Sequence, residues 1–491
     1  MDVQDNIQLK TFSQAGAQHR DNSATTTLNE LIRSTSIQKC QDESTQSGPG
    51  LHAELTLTEG LNLDCGNAAL ALPPIDRGFK AWSFVAAAFV LESLVWGWGF
   101  AYGVFQEYFL HQRTFGDASE ASIGAVGTTA LAIQYFEMLA VISLTQQWPD
   151  KARLIMWSSL GLCCGSLLLA SFATKVWHMI LLQGILFGIG GGGLYAPVII
   201  YLSEWFVARR GLAGAIIFGG SGAGGAFFPI VVNFLLTHLG FRWTLRIWAG
   251  FMFVFSALAL AFTRPRLPIV RAHDADGLGF LARLRRQHWG FLRSPLFLCM
   301  TCTVFIQALA YFPVSLYMAV YTSSLGLPPL NGTLVVSVFN LAGVIGQIAF
   351  GHVCDNAPYG YAIIVSGAGA ALSAYLLWGF AHSLGLIFAF VVIFGSLSGG
   401  FVSVWPAACV DIAGSEQSSF SNIMGFFCIT KGIAAIIGPL IAAALHHPEQ
   451  AAMKSTYSGY GFRDVTLFVG NMMVATAAGG IISRLVRRVT L

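Results

Sequence analysis

Long apolar segments separated by short polar breaks dominate the chain from Trp82 onward. A hydrocarbon core about 30 Å thick requires roughly 20 helical residues, and these segments meet that length. The pattern predicts membrane-spanning helices at residues 82–109, 122–147, 154–173, 177–204, 210–236, 242–262, 294–321, 332–354, 360–381, 386–411, 419–445 and 464–487. The predicted fold class is an all-α membrane protein, with twelve transmembrane helices in two six-helix bundles.

Polar stretches divide the chain into four predicted parts. Residues 1–75 are rich in Ser, Thr, Gln and Asn and lack the apolar run of a signal peptide, so we expect a disordered cytoplasmic tail. Residues 263–293 are the longest internal polar stretch, and we expect a cytoplasmic linker there. This linker separates an N-terminal bundle, residues 76–262, from a C-terminal bundle, residues 294–491.

Composition excludes several classes of protein. Hydrophobic residues make up 55% of the chain, whereas charged residues make up only 10%. A soluble protein has about a quarter of its residues charged, because its surface must be covered with polar groups. A soluble enzyme, a nucleic-acid binder and a disordered scaffold are therefore excluded, and the lipid bilayer is the expected surrounding.

Cofactor chemistry is not indicated by any motif. Cys299 and Cys302 have CxxC spacing, but they lie in an apolar segment without a second pair or a nearby histidine. The chain contains no Gly-Lys-Ser/Thr element, which argues against an ATP-driven pump. We expect no cofactor, no metal site and no ATP.

Lysine and arginine are concentrated on one side of the predicted bundle. They occur in the turns after helices 2, 4 and 6 and at the C-terminus, which an even number of spans places on the same side as the N-terminus. Short cytoplasmic loops carry such an excess of positive charge. Both termini are therefore predicted to be cytoplasmic, with the plasma membrane as the favoured location.

The two halves of the chain echo one another. Helix 4 contains a glycine run followed by Pro197, and helix 10 contains Gly399-Gly400 followed by Pro406. Small residues allow helices to approach closely, and proline is tolerated where neighbouring groups satisfy the freed carbonyl. Matches at corresponding positions of two halves favour an internally duplicated transporter.

Three ionisable residues are predicted to lie near the bilayer midplane. Glu92 lies 12 residues after Lys80, Glu137 lies 11 residues before Trp148 and Lys431 lies 12 residues after Ser419. At 1.5 Å per residue these separations are about 16–18 Å. A lone charge at this depth costs at least about 2.5–3.5 kcal/mol, so pairing or contact with a wet cavity is expected. Glu92 is either a proton carrier or a protonated residue that hydrogen-bonds a neighbouring helix.

Two motifs resemble those of the major facilitator superfamily, and within it the fungal relatives of the monocarboxylate transporters. The first is Asp76-Arg-Gly78-Phe-Lys-Ala-Trp82 at the start of helix 1, and the second contains Arg209-Arg210-Gly-Leu-Ala-Gly before helix 5. The resemblance implies two bundles that work by alternating access, with a substrate site between them. Arg209 and Arg210 could guard the inner gate, with Glu204 or Asp355 as acidic partners, or anchor the helix to lipid headgroups.

The chain also departs from the family that it resembles. Arg77 replaces a glycine of the first motif, and Gln347 stands where the family usually has an arginine that pairs with a substrate carboxylate. A neutral amide cannot supply that charge, which argues against simple monocarboxylate transport. Helices 2 and 11 face each other in the implied fold, so a Glu137–Lys431 contact could form in one access state and break in another, or hold the bundles together permanently.

Three further polar residues are candidates for substrate contact. Tyr102, in the outer half of helix 1, has a polar tip that suits a cavity. Asn340 and Gln347 are seven residues apart and share one face of helix 8. Their amides could recognise a substrate by hydrogen bonds or could join neighbouring helices.

These observations predict a secondary active transporter that moves a small organic solute and is not an enzyme. A carboxylate-bearing metabolite is the first hypothesis, with protons as a candidate coupling ion. The alternatives are an exporter of a specialised metabolite and, less favoured, a transporter-like sensor that does not transport.

Overall fold

The computed structural model describes residues 72–267, 289–416, 419–447, 449 and 457–490. The predicted tail at residues 1–75 lies outside the described residues except for its last four. Most of the predicted linker at residues 263–293 also lies outside them.

Helices form at all the predicted spans, and the described residues include no strand. Most bounds differ from the predicted ones by a few residues. The helices are α1 (Phe79–Glu92, Ser93–Gly97 and Trp98–His111), α2 (Glu120–Gln147), α3 (Ala152–Ala170), α4 (Val176–Met179, Ile180–Leu186 and Phe187–Trp205), α5 and α6 (together Arg210–Phe262), α7 (Pro295–Ser324), α8 (Pro329–Asn356), α9 (Tyr359–Leu372 and Ser373–Trp378), α10 (Leu384–Gly399, Gly400–Val404 and Trp405–Ala413), α11 (Phe420–Leu445) and α12 (Arg463–Thr490).

One helical stretch supplies two membrane spans. Arg210–Phe262 contains 53 residues, which at 1.5 Å per residue would extend about 80 Å, far more than a hydrocarbon core of about 30 Å. Gly240 interrupts it with φ 72° and ψ 169°, a backbone conformation that glycine adopts without steric cost. We therefore treat residues 210–239 as α5 and residues 241–262 as α6. The described residues include eleven apolar helices long enough to span a membrane, which thus provide twelve spans, and the predicted fold class is confirmed.

Small residues set the close helix contacts of this fold. A Cβ atom at Gly97 of α1 would lie 2.7 Å from the Cα atom of Gly224 in α5. A Cβ atom at Gly399 of α10 would lie 2.8 Å from the Cα atom of Gly343 in α8. Side chains at these positions would push the helices apart, because real Cβ atoms do not approach so closely.

Four of the described helices change their winding, α4 and α9 at π-helical segments Ile180–Leu186 and Ser373–Trp378, and α1 and α10 near the middle of the span. In α1, a π-helical turn, Ser93–Gly97, begins directly after Glu92. In α10, a 3₁₀ segment, Gly400–Val404, ends directly before Trp405. Departures from α-helical winding often occur at functional sites, and both Glu92 and Trp405 line the cavity described below.

We use "basic side" for the side of the molecule where α1 begins, α12 ends, and the α2–α3, α4–α5 and α6–α7 connections lie. The described Lys and Arg residues in these segments are Arg77, Lys80, Lys151, Arg153, Arg209, Arg210, Arg264, Arg266, Arg293, Arg484, Arg487 and Arg488. The opposite side carries the α11–α12 connection.

A histidine bridges two acids in the α11–α12 connection. The Nδ1 atom of His447 lies 3.0 Å from a Glu449 carboxylate oxygen, and its Nε2 atom lies 3.2 Å from an Asp464 carboxylate oxygen. Hydrogen bonds to Glu449 and then to Asp464 raise the pKa of His447 above its usual value. The bridge therefore stabilises the fold fully below about pH 6.5, the ordinary histidine value, and the contribution is lost as the pH rises through the raised pKa.

We expect His447→Gln to lower the melting temperature of the purified protein at about pH 5.5 and to leave it unchanged at about pH 9. Differential scanning fluorimetry in detergent at both pH values measures this. His111→Gln, which alters an exposed histidine at the end of α1, is the matched control. An equal loss of stability at both pH values would show that the bridge does not depend on the histidine charge.

Candidate functional site

A cavity lies between the first six helices and the last six. Its lining residues come from α1, α2, α4 and α5 on one side and from α7, α8, α10 and α11 on the other. Helices α3, α6, α9 and α12 contribute none of the described lining residues. Four helices from each half of the chain therefore share the cavity.

The walls of the cavity are mainly apolar and aromatic. The aromatic lining residues are Trp96, Phe100, Tyr135, Tyr195, Phe218, Tyr311, Phe312 and Trp405. The polar ones are Glu92, Ser221, Gln307, Gln347, Ser398 and Lys431. Such a combination of apolar walls and a few polar groups is typical of sites for small organic molecules.

Glu92 lies in the cavity wall, as an intramembrane carboxyl requires. Its side chain is 6% exposed, and Tyr195 and Ser221 are its polar neighbours. Lys431, on the other half of the chain, attracts it electrostatically without a direct ion pair among the described residues. Lys431 is therefore the opposite charge near Glu92, which the sequence alone did not reveal.

Lys431 lies among three aromatic rings. Its Nζ atom is 5.4 Å from the ring centre of Trp405, 5.6 Å from that of Tyr311 and 6.0 Å from that of Phe312. The negative faces of aromatic rings attract an ammonium ion, most strongly where water is excluded. These rings stabilise the buried charge and hold it at the cavity.

Glu137 does not contact Lys431 in this structure, contrary to one of the sequence-based hypotheses. Its carboxylate lies against the backbone of Gly192 in α4, and Glu137 is not a lining residue. The reason is its position on the helix. Tyr135 of α2 packs against Gly432 of α11, and Glu137, two residues further, is rotated by about 200° around α2. The hypothesis of a permanent Glu137–Lys431 pair is therefore wrong, because the two residues are not in contact in this structure.

Tyr102 is also outside the cavity. Its hydroxyl donates a hydrogen bond of 2.6 Å to the carbonyl oxygen of Ile123, and its side chain is buried. Its ring packs so closely on Gly127 of α2 that a side chain there would collide with it. Tyr102 therefore joins α1 to α2, and its polar tip is already satisfied.

The two amides of α8 have different surroundings. Asn340 donates hydrogen bonds to the carbonyl oxygens of Val336, at 3.0 Å, and Gly225 in α5, at 3.3 Å. Gln347 lines the cavity, and its Oε1 atom is buried without a hydrogen-bond partner among the described residues. Asn340 therefore joins α8 to α5, whereas Gln347 remains available to a ligand.

The two motifs of the sequence meet on the basic side. The carboxylate of Asp76 accepts hydrogen bonds of 3.0 Å from the backbone N–H groups of Val207, Ala208 and Arg209. Trp82 packs edge-on against Phe206 with 5.5 Å between ring centres, and Gly78, at φ 88°, precedes the first turn of α1. The first motif therefore fixes the turn between α4 and α5.

A second carboxylate connects the two halves of the chain. Asp355, at the end of α8, accepts hydrogen bonds from the N–H groups of Gly211, at 2.7 Å, and Leu212, at 2.8 Å. These groups belong to the first turn of α5, where a negative charge is favourable because the N–H groups lack helical partners. This contact closes the basic side between α5 and α8.

Arg209 and Arg210 take different positions. Arg210 is buried, donates to the carbonyl oxygen of Phe206 at 2.8 Å and lies 4.8 Å from the ring centre of Phe420 in α11. The Arg209 side chain is exposed. Arg210 thus takes part in the contact between the halves. The expected acid partners instead accept backbone N–H groups, since Glu204 binds those of Arg266 and Leu267.

Several cavity residues were not predicted from the sequence. Tyr195, Tyr311 and Trp405 line the cavity, and Gln307 donates to both the carbonyl and hydroxyl oxygens of Ser398 at 3.0 Å. Tyrosine and tryptophan are common in apolar helices, so their identity alone does not mark them. In the structure, Tyr311 and Trp405 are distinguished by their proximity to Lys431 and Tyr195 by its proximity to Glu92.

The sequence matches the Major Facilitator Superfamily over residues 73–446, more than half of the chain. The chain belongs to this superfamily. It is therefore a multi-pass membrane transporter, and members of the superfamily bind small-molecule substrates within the membrane.

The relatives of this MFS transporter include fungal proteins. The MFS transporter asaE of Aspergillus flavus is 25% identical over 416 residues, covering 84% of this chain and 88% of that protein. The aspyridones efflux protein apdF of Emericella nidulans is 27% identical over 403 residues, covering 81% and 76%. The crystal structure of the human organic anion transporter MFSD10 shares the fold, with a TM-score of 0.57 and 14% identity over 83% of this chain and 99% of that one.

We expect Asp355→Asn to weaken the closure of the basic side of the transporter. The substitution leaves one side-chain acceptor for two N–H groups and removes a charge from a helix N-terminus, a loss of about 1 kcal/mol. Cys409, which is fully buried, should then react about fivefold faster with a membrane-permeant maleimide. Asp150→Asn, an exposed acid on the same side, is the control. Equal labelling of the two variants would contradict a closing role for Asp355.

We expect replacement by leucine to destabilise the protein at Asn340 but not at Gln347. Asn340→Leu removes a buried link between α8 and α5 and should lower the free energy of unfolding by about 1–3 kcal/mol. Gln347→Leu removes a side-chain oxygen that has no hydrogen-bond partner among the described residues, so the thermal stability should change little. Melting curves of both variants in detergent measure the difference, and an equal loss would assign Gln347 a structural role.

Proposed function

We propose that this transporter exports a specialised organic metabolite by secondary active transport through the central cavity. The observation that carries the proposal is the cavity itself, because it is shared by both halves of the chain and is walled by aromatic side chains. Its lining combines apolar walls with a few polar groups, as do sites that bind small organic molecules. The efflux function in the name of the relative apdF supports export.

The contacts on the basic side support alternating access. Asp355 and Arg210 join the two halves there, so this structure represents a state closed on the basic side. Opening would require α5 to leave Asp355, and α4–α5 to separate from α11. We propose that residues 76–262 and 294–491 move as two bundles about the cavity. The Glu137–Lys431 contact remains a hypothesis for another state only.

Glu92 is the proposed site of proton coupling. It is a buried carboxyl at the substrate cavity, where a change of protonation changes the net charge that the substrate meets. Its position beside the π-helical turn of α1 places it where the helix is irregular. Proton binding and substrate binding would therefore act on the same part of the transporter.

The basic side is proposed to face the cytoplasm, with both termini there, because Lys and Arg accumulate in cytoplasmic loops. The plasma membrane is the proposed location, since export from the cell requires it. We propose no enzymatic activity. The similarity to monocarboxylate transporters supports a carboxylate-bearing substrate only weakly, since Gln347 occupies the position of the family's arginine.

Transport by proteoliposomes tests this function. The vesicles contain purified transporter, an imposed pH gradient and a panel of labelled aromatic and aliphatic acids, with and without a protonophore. We expect gradient-driven movement of at least one aromatic acid, abolished by the protonophore. Movement of no solute under any gradient would favour the transporter-like sensor instead.

We expect Glu92→Gln to lower gradient-driven transport at least about tenfold, equivalent to about 1.4 kcal/mol. The reason is that an amide cannot carry a proton. Glu107→Gln, an exposed acid on the same helix, is the matched control and should transport normally. Wild-type pH dependence in Glu92→Gln would remove Glu92 from the coupling mechanism without excluding transport.

A further inference from the structure

We infer that the cavity selects flat, conjugated organic anions and that the Lys431 ammonium group binds their negatively charged oxygen. This inference rests on the proposed function, because it names the substrate class of the same cavity. It differs from transport of short aliphatic carboxylates, which would leave the aromatic walls of the cavity without contact.

The charge of the cavity favours an anionic ligand. Lys431 is the cationic residue among the described lining residues. Three aromatic rings hold its ammonium group, but an aromatic face accepts no ordinary hydrogen bond to match the three donors of the group. An anionic oxygen would supply both the opposite charge and a strong hydrogen-bond acceptor.

The cavity wall contains hydrogen-bond donors that favour a ligand with oxygen acceptors. The indole nitrogens of Trp96 and Trp405 are buried and have no hydrogen-bond partner among the described residues, although both residues line the cavity. An indole nitrogen can only donate. Gln307 is occupied by Ser398. Two acceptors of the cavity, the Oε2 atom of Glu92 and the Oε1 atom of Gln347, also have no hydrogen-bond partner among the described residues. Oxygen acceptors on a ligand would fit the two indole nitrogens and the Lys431 ammonium group.

The aromatic walls of the cavity favour a flat ligand. Trp96 packs on Tyr135 with 4.5 Å between ring centres, and both come from the first half of the chain. Trp405, Tyr311 and Phe312 come from the second half. Aromatic walls on both sides favour a ligand with a π system, whereas a small ion such as acetate would leave most of the apolar surface without contact.

Glu92 supplies a further consequence of this assignment. It is the anionic residue of the same cavity and attracts Lys431. A bound anion and an ionised Glu92 would compete for one ammonium group. The two negative charges would also repel each other across the low-dielectric cavity. Removing the Glu92 charge should thus strengthen anion binding, although it abolishes proton coupling.

Binding to the purified full-length transporter in detergent tests the inference. The probes are 1-naphthoate, the neutral isostere 1-naphthamide, and acetate, each titrated by isothermal calorimetry. We expect naphthoate to bind at least tenfold tighter than the other two. Lys431→Gln should remove the preference for naphthoate over naphthamide, Lys431→Arg should keep it, and Glu92→Gln should increase it. Lys151→Gln, an exposed lysine on the basic side, is the control.

Equal affinity of the wild-type protein for naphthoate and naphthamide would overturn the charge assignment, and acetate binding as tight as naphthoate would overturn the shape assignment. Binding of none of the probes would overturn both. Should Lys431→Gln fail to fold, Lys431→Arg and Glu92→Gln decide the matter. Because these titrations measure binding and the vesicles measure movement, a neutral substrate exported by the vesicles would refute this inference alone.

Discussion

A carboxylate in an apolar environment requires a hydrogen-bond donor, an opposite charge or a proton, and this requirement organises the structure. Asp76 and Asp355 meet it with backbone N–H groups on the basic side. Glu92 meets it in the cavity, beside Tyr195, Ser221 and Lys431. The acids on the basic side therefore hold helices together, whereas the acid in the cavity has neighbours that a ligand can replace.

The same requirement explains why the basic side is both closed and able to open. Backbone N–H groups at the start of α5 are available to Asp355 because the first turn of any helix lacks internal acceptors. When the contact breaks, water can replace each partner at little cost, since both groups lie near the membrane surface. Contacts in the apolar middle of the bundle, such as that of Asn340 with Gly225, have no such substitute. Motion is thus easier at the ends of the helices than at their centres.

The sequence predicts where the helices lie, but it does not predict which face of each helix points to the cavity. Apolar length predicted all the spans, because the bilayer imposes one requirement on every helix. The break at Gly240 also lay between predicted spans 210–236 and 242–262. The sequence could not predict which acid lies nearer to Lys431, because helices 1 and 2 both carry an acid at the same depth. The rotation of each helix decides between Glu92 and Glu137, and it depends on contacts such as Tyr135 with Gly432. Asn340 and Gln347 share a helical face, yet Asn340 reaches the carbonyl oxygen of Gly225 in α5 whereas Gln347 lines the cavity, a difference that depends on the neighbouring helices.

The break at Gly240 has a consequence for how the protein enters the membrane. Because one residue separates α5 from α6, almost no polar chain has to cross the bilayer when this pair inserts. The two helices can enter together as a hairpin, which buries their backbone groups in one step. The turn leaves a single residue between the two helices on the side opposite the basic one, so a protease that requires an extended segment finds almost none there. The shortest connection of the molecule thus favours insertion of the pair in one step and keeps the chain helical up to the turn.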